Sequence, residues 1–413
     1  MAASSYSYCL QIHAGEEFSC LSLVQFIWDK VCGLFSRNFK ERHLPSDILA
    51  NVLSRVPAGC LHRCEYSCKA LGAVTINPFF LELHLSHASP VIAIYHRRTS
   101  GTSEVLHINF TDETAKQVTR KSVSTKGGFN YMPSLFGSHN GFLIFRRASC
   151  RIDIWNPVTN QKLDLRINPG FEFFFGFYFH PVAMDYRAIF GFCCVTHFRY
   201  NIYRFSSTSR KNGIFDHPPN AQSAPIILNR ALHWMVCDES YLTVIGVPSD
   251  CLNSIIILDM KSEMFCSISH PGKQCGPRRE HHKMKLMEME GHLCLCNATS
   301  NQNLTIWMLE DYQNKVWGKR YVIATDPLIR FCSIEHGSLR NFQVFNKELL
   351  LTVSGTNILL YHLDLGIIRR VGKPLNKNKE KDWHVIPVVH TNTLLSAHVS
   401  HSVRPRMVKV TYD

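Results

Sequence analysis

Two hydrophobic patterns divide the chain. Up to about residue 86, apolar residues recur every three or four positions, which is the period of an α-helix. From Pro90 onward, short apolar runs alternate with polar turns, which is typical of β-strands. The sequence therefore predicts an α+β multidomain protein, with a small all-α region followed by a large all-β region.

The first predicted helix spans about residues 21–35. Its apolar residues, among them Leu23, Phe26 and Val31, fall roughly on one face, as in an amphipathic helix. Residues 1–41 are therefore predicted to be an N-terminal extension that contains this one helix.

Three short helices are predicted within residues 42–86. Pro45 and Asp47 suit the first turn of the first helix, and Pro57 with Gly59 ends it. The apolar face of that helix consists of Ile48, Leu49, Val52, Leu53 and Val56. Three short helices bury too little surface to be stable alone. Their apolar residues must therefore contact another protein or the chain's own second domain.

This segment resembles the F-box of plant F-box proteins. The matching residues are Leu44-Pro45, Asp47, Ile48-Leu49, the run Leu-Ser-Arg-Val-Pro at 53–57, Cys68-Lys69 and Asn77-Pro78-Phe79-Phe80. Leu71 stands where the family has Trp, and Ser67 stands where it has Val. The resemblance implies binding of the Skp-type adaptor, and through it the cullin scaffold. It assigns to that contact, or to its support, Leu44, Pro45, Ile48, Leu49, Leu53, Pro57 and Leu61.

A sequence pattern recurs through residues 90–413. Its polar junction residues are Asn109, Asn156, Ser206, Asp259, Asp311 and Asp364, separated by 47, 50, 53, 52 and 53 positions. A period near fifty residues with about four strands per unit is typical of a kelch-like β-propeller blade. The pattern predicts six blades, with a C-terminal strand at Met407–Tyr412 completing the ring. A β-sandwich is the structural alternative.

This region also resembles the plant F-box-associated domain. The landmarks that carry the resemblance are Asn140-Gly141-Phe142-Leu143, Trp155-Asn156-Pro157, Phe175-Gly176-Phe177, Ala231-Leu232-His233-Trp234 and Ile306-Trp307 with Asp311-Tyr312. The family implies a domain that holds a client protein.

Catalytic and metal-binding motifs are not recognisable in the sequence. No nucleophile elbow, phosphate-binding loop or HExxH signature occurs, so we predict no catalytic residue, no cofactor and no enzyme activity. Cys60, Cys64 and Cys68 fall on a helix face, where small buried cysteines are ordinary core. His281 and His282 lie in a charged loop and are interpreted as solvated surface or client contact. We therefore predict no metal site.

Charge and cysteine content limit the surroundings. Residues 1–86 are balanced in charge, so the rest of the chain carries the whole formal net charge of +13. A basic surface favours acidic partners, whether protein or nucleic acid. No signal sequence or membrane span is recognisable, and the 16 cysteines are scattered. These features favour a cytoplasmic or nuclear protein with free thiols and no membrane contact.

Together these observations predict a substrate-recognition adaptor of a Skp–cullin–F-box E3 ubiquitin ligase. The F-box would bind the Skp-type adaptor, and the β-domain would hold an unknown client. The alternative is an interaction or nucleic-acid-binding protein that uses the basic β-domain without ligase assembly. Client-binding residues are not identified by the sequence.

Overall fold

The chain forms two compact units, residues 1–88 and 89–413. The computed structural model describes residues 46–65, 72, 74–98, 105–111, 117–124, 134–147, 151–166, 172–194, 196–205, 207, 209–272, 275, 279–333, 338–371 and 383–395. The helix predicted for residues 21–35 lies outside these ranges.

Within the described residues, the first unit includes the short helices α1 (Ser46–Leu53), α2 (Ala58–Glu65) and α3 (Pro78–His87). Asn77 caps α3 by accepting a hydrogen bond from the Phe79 N–H (2.9 Å), and Pro78 occupies the first turn, where no N–H is needed. His84 of α3 is buried, and its Nε2 lies 2.9 Å from the carbonyl oxygen of Val56. This contact joins α3 to the turn that follows α1.

The second unit consists of six four-stranded antiparallel sheets among the described residues. Sheet 1 contains β1 (Pro90–Arg98), β2 (Val105–Thr111), β3 (Gln117–Ser124) and β24 (Trp383–Thr391), and sheet 2 contains β4 (Ser134–His139), β5 (Phe142–Arg147), β6 (Arg151–Trp155) and β7 (Lys162–Arg166). Sheet 3 contains β8 (Glu172–His180), β9 (Asp185–Cys193), β10 (Phe198–Arg204) and β11 (Arg210–Phe215), and sheet 4 contains β12 (Ile226–Leu228), β13 (Ala231–Met235), β14 (Ile255–Asp259) and β15 (Phe265–Ile268).

The last two sheets follow the same order. Sheet 5 contains β16 (Met284–Met289), β17 (His292–Asn297), β18 (Asn303–Asp311) and β19 (Val316–Ala324), and sheet 6 contains β20 (Leu339–Phe345), β21 (Glu348–Val353), β22 (Asn357–His362) and β23 (Ile368–Arg370). Two helices, α4 (Asp238–Ile245) and α5 (Thr325–Phe331), and a 3₁₀ turn at His281–Lys283 lie in the connections.

Hydrophobic cores join each sheet to the next. Phe142 and Ile154 of sheet 2 pack with Phe177 of sheet 3, and further clusters join sheets 3 to 4, 4 to 5 and 5 to 6. Sheet 1 packs against sheet 2 in one cluster and against sheet 6 in another. This cyclic packing of small sheets is that of a β-propeller. The β-sandwich alternative is not supported, because a sandwich would bury one core between two sheets.

Sheet 1 unites the two ends of this unit. All nine residues of β1 pair with β24, from Pro90 opposite Thr391 to Arg98 opposite Trp383. The sequence prediction gave this closing role to Met407–Tyr412, which lie outside the described residues. In the structure the strand beside β1 is β24, because its Val385 and Val388 enter the cores shared with sheets 6 and 2.

The recurring junction residues mark the same place in successive sheets. Asn156, Asp259, Asp311 and Asp364 lie at the end of the third strand or within two residues of it, whereas Asn109 lies inside β2. Ser206 falls outside the described residues. The Asn156 side chain accepts from the Val158 N–H at 2.8 Å, and Asp259 accepts from the Ser262 N–H at 2.6 Å. The sequence period therefore reflects a repeated turn in which the junction side chain bonds the backbone.

A buried ion-pair network connects sheets 3 and 4. The Arg187 guanidinium is 3% exposed and donates to Asp185 (3.0 Å) and to Glu263, which also accepts from the Tyr178 hydroxyl (3.1 Å). Burial raises the pKa of Tyr178, and the adjacent Glu263 carboxylate raises it further, so the hydroxyl stays a donor.

Replacing Arg187 with Met is expected to lower the free energy of unfolding by about 3–5 kcal/mol, because the buried Asp185 and Glu263 carboxylates lose their closest cation and only the more distant Lys211 (3.8 Å) remains beside Glu263. Denaturant unfolding measures this change. Arg199→Met, at an exposed position of neighbouring β10, is the control and should shift stability by about 0.5 kcal/mol or less. Equal effects of the two substitutions would contradict a role for the network.

The buried His233 is expected to make stability depend on pH. Its Nε2 lies 2.7 Å from the Tyr312 hydroxyl, and burial lowers its pKa to about 4. The pKa of this histidine is therefore lower in the folded protein than in the unfolded chain, where it is about 6.5. The resulting stabilisation is complete above pH 6.5 and is lost as the pH falls towards 4.

The free energy of unfolding of His233→Phe should therefore fall less steeply between pH 6.5 and 4 than that of the parent protein. His292→Gln removes an exposed histidine of β17 and should leave the slope unchanged. Identical slopes for the parent protein and His233→Phe would disprove the assignment.

Candidate functional site

The helical unit carries large apolar side chains on its surface. Ile48 and Val52 lie one turn apart on α1 and are 51% and 43% exposed. Ile76 and Phe79, around the start of α3, are 63% and 65% exposed. Four exposed large apolar residues in so small a unit are typical of a protein–protein contact. Taken together, and without implying that the two pairs are adjacent, we call the exposed residues Ile48, Val52, Ile76 and Phe79 the apolar face.

The consecutive residues Phe79 and Phe80 show how α3 divides its side chains. Successive residues of a helix point about 100° apart. Once Asn77 and Pro78 fix the start of the helix, Phe80 enters the core with 1% exposure, while Phe79 remains in solvent. Phe80 anchors the helix, and Phe79 is left available to a partner.

The adaptor-contact residues expected from the sequence fall into three groups. Ile48 and Pro57 are exposed, whereas Leu53 and Leu61 are buried at 8% and 1% and support the helices from within. Leu44, Pro45 and the side chain of Leu49 lie outside the described part of the chain. The sequence did not assign Val52, Ile76 or Phe79 to this contact, although Val52 belongs to the apolar face of α1 and Phe79 to the Asn-Pro-Phe-Phe motif.

The β unit contains a groove beside α4. It has a volume of about 880 Å³ and is lined mainly by apolar side chains from sheet 3 and α4. Phe198 and Phe215 stack in its floor with ring centroids 5.9 Å apart, and Phe173 at the rim is 43% exposed. A large, mainly apolar concavity is the usual form of a binding site.

Helix α4 contributes apolar residues that the fold does not cover. None of its residues is buried, and Leu242 and Ile245 are 50% and 40% exposed. The helix ends at Gly246 in the left-handed conformation (φ 81°), and Val247 just beyond is 54% exposed. On its other side, the half-buried Tyr241 and Val244 pack against the core shared by sheets 3 and 4. Its uncovered apolar residues indicate a contact surface.

The ends of the groove carry charge. Asp238 and Glu239 lie in the first turn of α4, and Arg279 and His282 line the same concavity. Cys193 also lines it, but burial raises the pKa of its thiol, with a further effect of neighbouring Cys237, so the thiol stays protonated. These groups suit recognition rather than nucleophilic chemistry.

Several arginines of the β unit have partners within the fold. Arg146 donates to the Ala221 carbonyl at 2.8 Å, and Arg147 forms an ion pair with Asp153. Arg369 forms an ion pair with Glu348, and Arg279 donates to the Ser249 carbonyl at 2.6 Å. These arginines join segments of the fold rather than form one open basic patch.

The structure separates the two loop histidines. His282 is exposed beside the groove, as predicted, but His281 has no exposed surface and the prediction of solvated surface is wrong for it. The cause is the 3₁₀ turn, in which neighbouring side chains point to different sides.

Among the described cysteines, Cys294 and Cys296 are free core thiols, whereas Cys60 is disulfide-bonded, contrary to the prediction of free thiols. No helix in the described segments is long and apolar enough to cross a membrane.

Comparison with known proteins places this architecture among plant proteins. Residues 93–372 match the family model described as F-box associated beta propeller domain. F-box protein At3g07870 of Arabidopsis thaliana is 24% identical over 406 residues, covering 85% of this chain and 91% of that protein. Putative F-box protein At3g10240 of the same plant is 23% identical over 313 residues, covering 69% and 72% respectively.

Solved β-propellers are more distant. The Cps50 (Swd1) β-propeller domain of Myceliophteria thermophila has 10% sequence identity and a TM-score of 0.38, covering 69% of this chain and 90% of that one.

Proposed function

The chain belongs to the F-box-associated β-propeller family, and from that membership we propose that it is a substrate-recognition adaptor of a Skp–cullin–F-box ubiquitin ligase. Its F-box unit would bind the Skp-type adaptor and, through it, the cullin scaffold. Its propeller would hold the client. The chain itself would supply no catalytic group: it raises the effective concentration of a client lysine near the ubiquitin-carrying enzyme.

The apolar face of the helical unit is the observation that carries this proposal. Leu53, Leu61 and Phe80 are buried behind it, so the unit has a core of its own and does not need Ile48 or Phe79 to form that core. Burying such a side chain contributes about 1.5–3 kcal/mol. Four of them together offset much of an association cost of about 4–15 kcal/mol.

Ile48→Asp and Phe79→Asp are each expected to weaken binding of a purified Skp-type adaptor by tenfold or more, because a charge replaces a buried apolar contact. Calorimetry or quantitative co-purification measures the loss. Asn51→Asp places the same charge at an exposed position of α1 and should retain binding. Unchanged affinity in both apolar-face variants, with circular dichroism like that of the parent protein, would overturn the adaptor assignment.

The β unit supports the client-holding half of the proposal. We infer that its six sheets act as the six blades of one closed ring, which the cyclic order of hydrophobic cores and the β1–β24 pairing support. A closed ring has few free strand edges. Client contacts are then expected on the connections, of which the segment containing α4 is long and carries uncovered apolar residues.

The client segment proposed for the α4 groove has apolar anchor side chains flanked by carboxylates. The floor of Phe198 and Phe215 and the rim residues Phe173 and Leu242 suit apolar anchors. The exposed His282 beside the groove suits a flanking carboxylate, and residues 87–413 carry the whole net charge of +13. Electrostatic complementarity of this kind favours acidic partners.

A displayed peptide library is the probe for this site. We expect the purified protein to enrich peptides with apolar anchors and acidic flanks, and Leu242→Asp to lower their affinity by tenfold or more. Val322→Asp is the matched control, since Val322 is 60% exposed on β19 and does not line the groove. Enriched peptides that bind Leu242→Asp as tightly as the parent protein would place the client site elsewhere.

The nucleic-acid alternative is less well supported. Phosphate binding requires accessible cations, and Arg146, Arg147 and Arg369 have partners within the fold. Tight RNA or DNA binding whose affinity falls steeply with salt, together with failure to bind the Skp-type adaptor, would favour that alternative.

A further inference from the structure

Four potential metal ligands meet beside sheet 4. Cys251, His270, Cys275 and His281 place one ligand atom each so that all four lie within 4.8 Å of one another. Cys251 precedes β14, His270 and Cys275 follow β15, and His281 precedes β16. Residues up to 30 positions apart thus converge through two connections of the propeller.

Hydrogen bonds fix which nitrogen each histidine presents. His270 Nδ1 lies 2.9 Å from the Pro271 carbonyl oxygen, and His281 Nδ1 lies 2.7 Å from Asp238 Oδ1. Carbonyl and carboxylate oxygens only accept, so both Nδ1 atoms carry the hydrogen and both Nε2 atoms keep a lone pair. A histidine whose other nitrogen donates to a carboxylate or carbonyl is typical of metal sites.

The Nε2 atom of His281 needs a partner. The residue has no exposed surface, and this nitrogen makes no hydrogen bond. A buried acceptor without a partner costs about 1–3 kcal/mol. A metal ion at the centre of the cluster would satisfy that lone pair.

The sulfur atoms are placed as a tetrahedral site requires. Cys275 Sγ lies 3.8 Å from His270 Nε2. Zinc–sulfur bonds of about 2.3 Å and zinc–nitrogen bonds of about 2.05 Å, meeting at a tetrahedral angle, separate the two ligand atoms by about 3.6 Å, which is close to this distance. The Cys275 N–H donates to Cys251 Sγ at 3.3 Å, which holds the two cysteines side by side.

We propose that Cys251, His270, Cys275 and His281 bind one structural Zn²⁺ ion. Two sulfur and two imidazole ligands in a tetrahedral arrangement select zinc over oxygen-preferring ions such as Mg²⁺ and Ca²⁺. Four protein ligands leave no open position, so the site is structural rather than catalytic.

The site connects to the groove through Asp238. This carboxylate accepts from His281 Nδ1 and from the Ser249 hydroxyl (2.5 Å), while its own residue begins α4. Arg279 adds bonds to the Ser249 and Cys275 carbonyls at 2.6 and 2.7 Å. Zinc would therefore hold the two connections together and fix the start of α4 beside them.

Metal analysis of the purified full chain tests the proposal. After incubation with Zn²⁺ under reducing conditions and removal of excess metal, we expect about one zinc per chain. Cys275→Ser and His281→Gln should each lower the retained zinc at least tenfold. The matched controls are Cys266→Ser, an exposed thiol of β15, and His282→Ala, the exposed neighbour of His281, and both should retain it.

Cobalt spectroscopy keeps the test independent of whether a variant folds. Co²⁺ added to the metal-free parent protein should give the visible bands of tetrahedral cobalt and a thiolate charge-transfer band, both displaced by Zn²⁺. Chelation should also lower the melting temperature of the parent protein. A reduced, folded parent protein that retains no zinc, octahedral cobalt bands, or equal zinc loss in the control variants would overturn the proposal.

Discussion

The pairing of β24 with β1 is the contact on which the β unit depends. Every other strand pair in the six sheets joins neighbours in the sequence, whereas this one unites segments almost three hundred residues apart. Val388 packs against the core shared with sheet 2, and Val385 enters the core shared with sheet 6. Gln343 of sheet 6 accepts from the Val389 N–H at 2.9 Å, and Asn156 of sheet 2 donates to the Thr393 carbonyl at 3.0 Å. One strand thus holds both neighbours. Without it, sheet 1 would have three strands and would lose the contacts that β24 makes with sheets 2 and 6.

The alternating pattern and the repeat period were sufficient to predict the propeller, because both arise locally. Asn156, Asp259 and Asp311 recur because each bonds the backbone of the turn that follows its strand. The partner strand β24 was not identified from the sequence, because pairing with β1 depends on contacts across the whole unit, which no local pattern contains. The helical unit shows a similar limit. The period of α1 identified its apolar residues, but not that Leu53 would be buried while Ile48 and Val52 stay exposed.

The metal-ligand cluster shows why spacing alone was insufficient. Cys251 and Cys275 have no paired Cys-x-x-Cys motif, and His281 lies in a basic run that indicates solvent. Only the antiparallel return of β14 and β15 brings these connections together. The Asp238 carboxylate, distant in sequence, then reaches His281 and determines its tautomer. These relations depend on sheet topology, so a motif search limited to short spacings cannot find them.

In the proposed adaptor, the cores between the sheets have to stay rigid while the connections between strands bind the client. Buried groups such as Arg187 and His233 meet the first requirement with internal hydrogen bonds and ion pairs. Helix α4 has a thinner contact with the core, because only the half-buried Tyr241 and Val244 pack against it, while Leu242 and Ile245 face solvent. The Asp238 contacts to Ser249 and His281 compensate at the start of the helix, where a carboxylate also interacts favourably with the helix dipole. A helix with uncovered apolar residues is therefore held by two half-buried side chains together with polar contacts at its start.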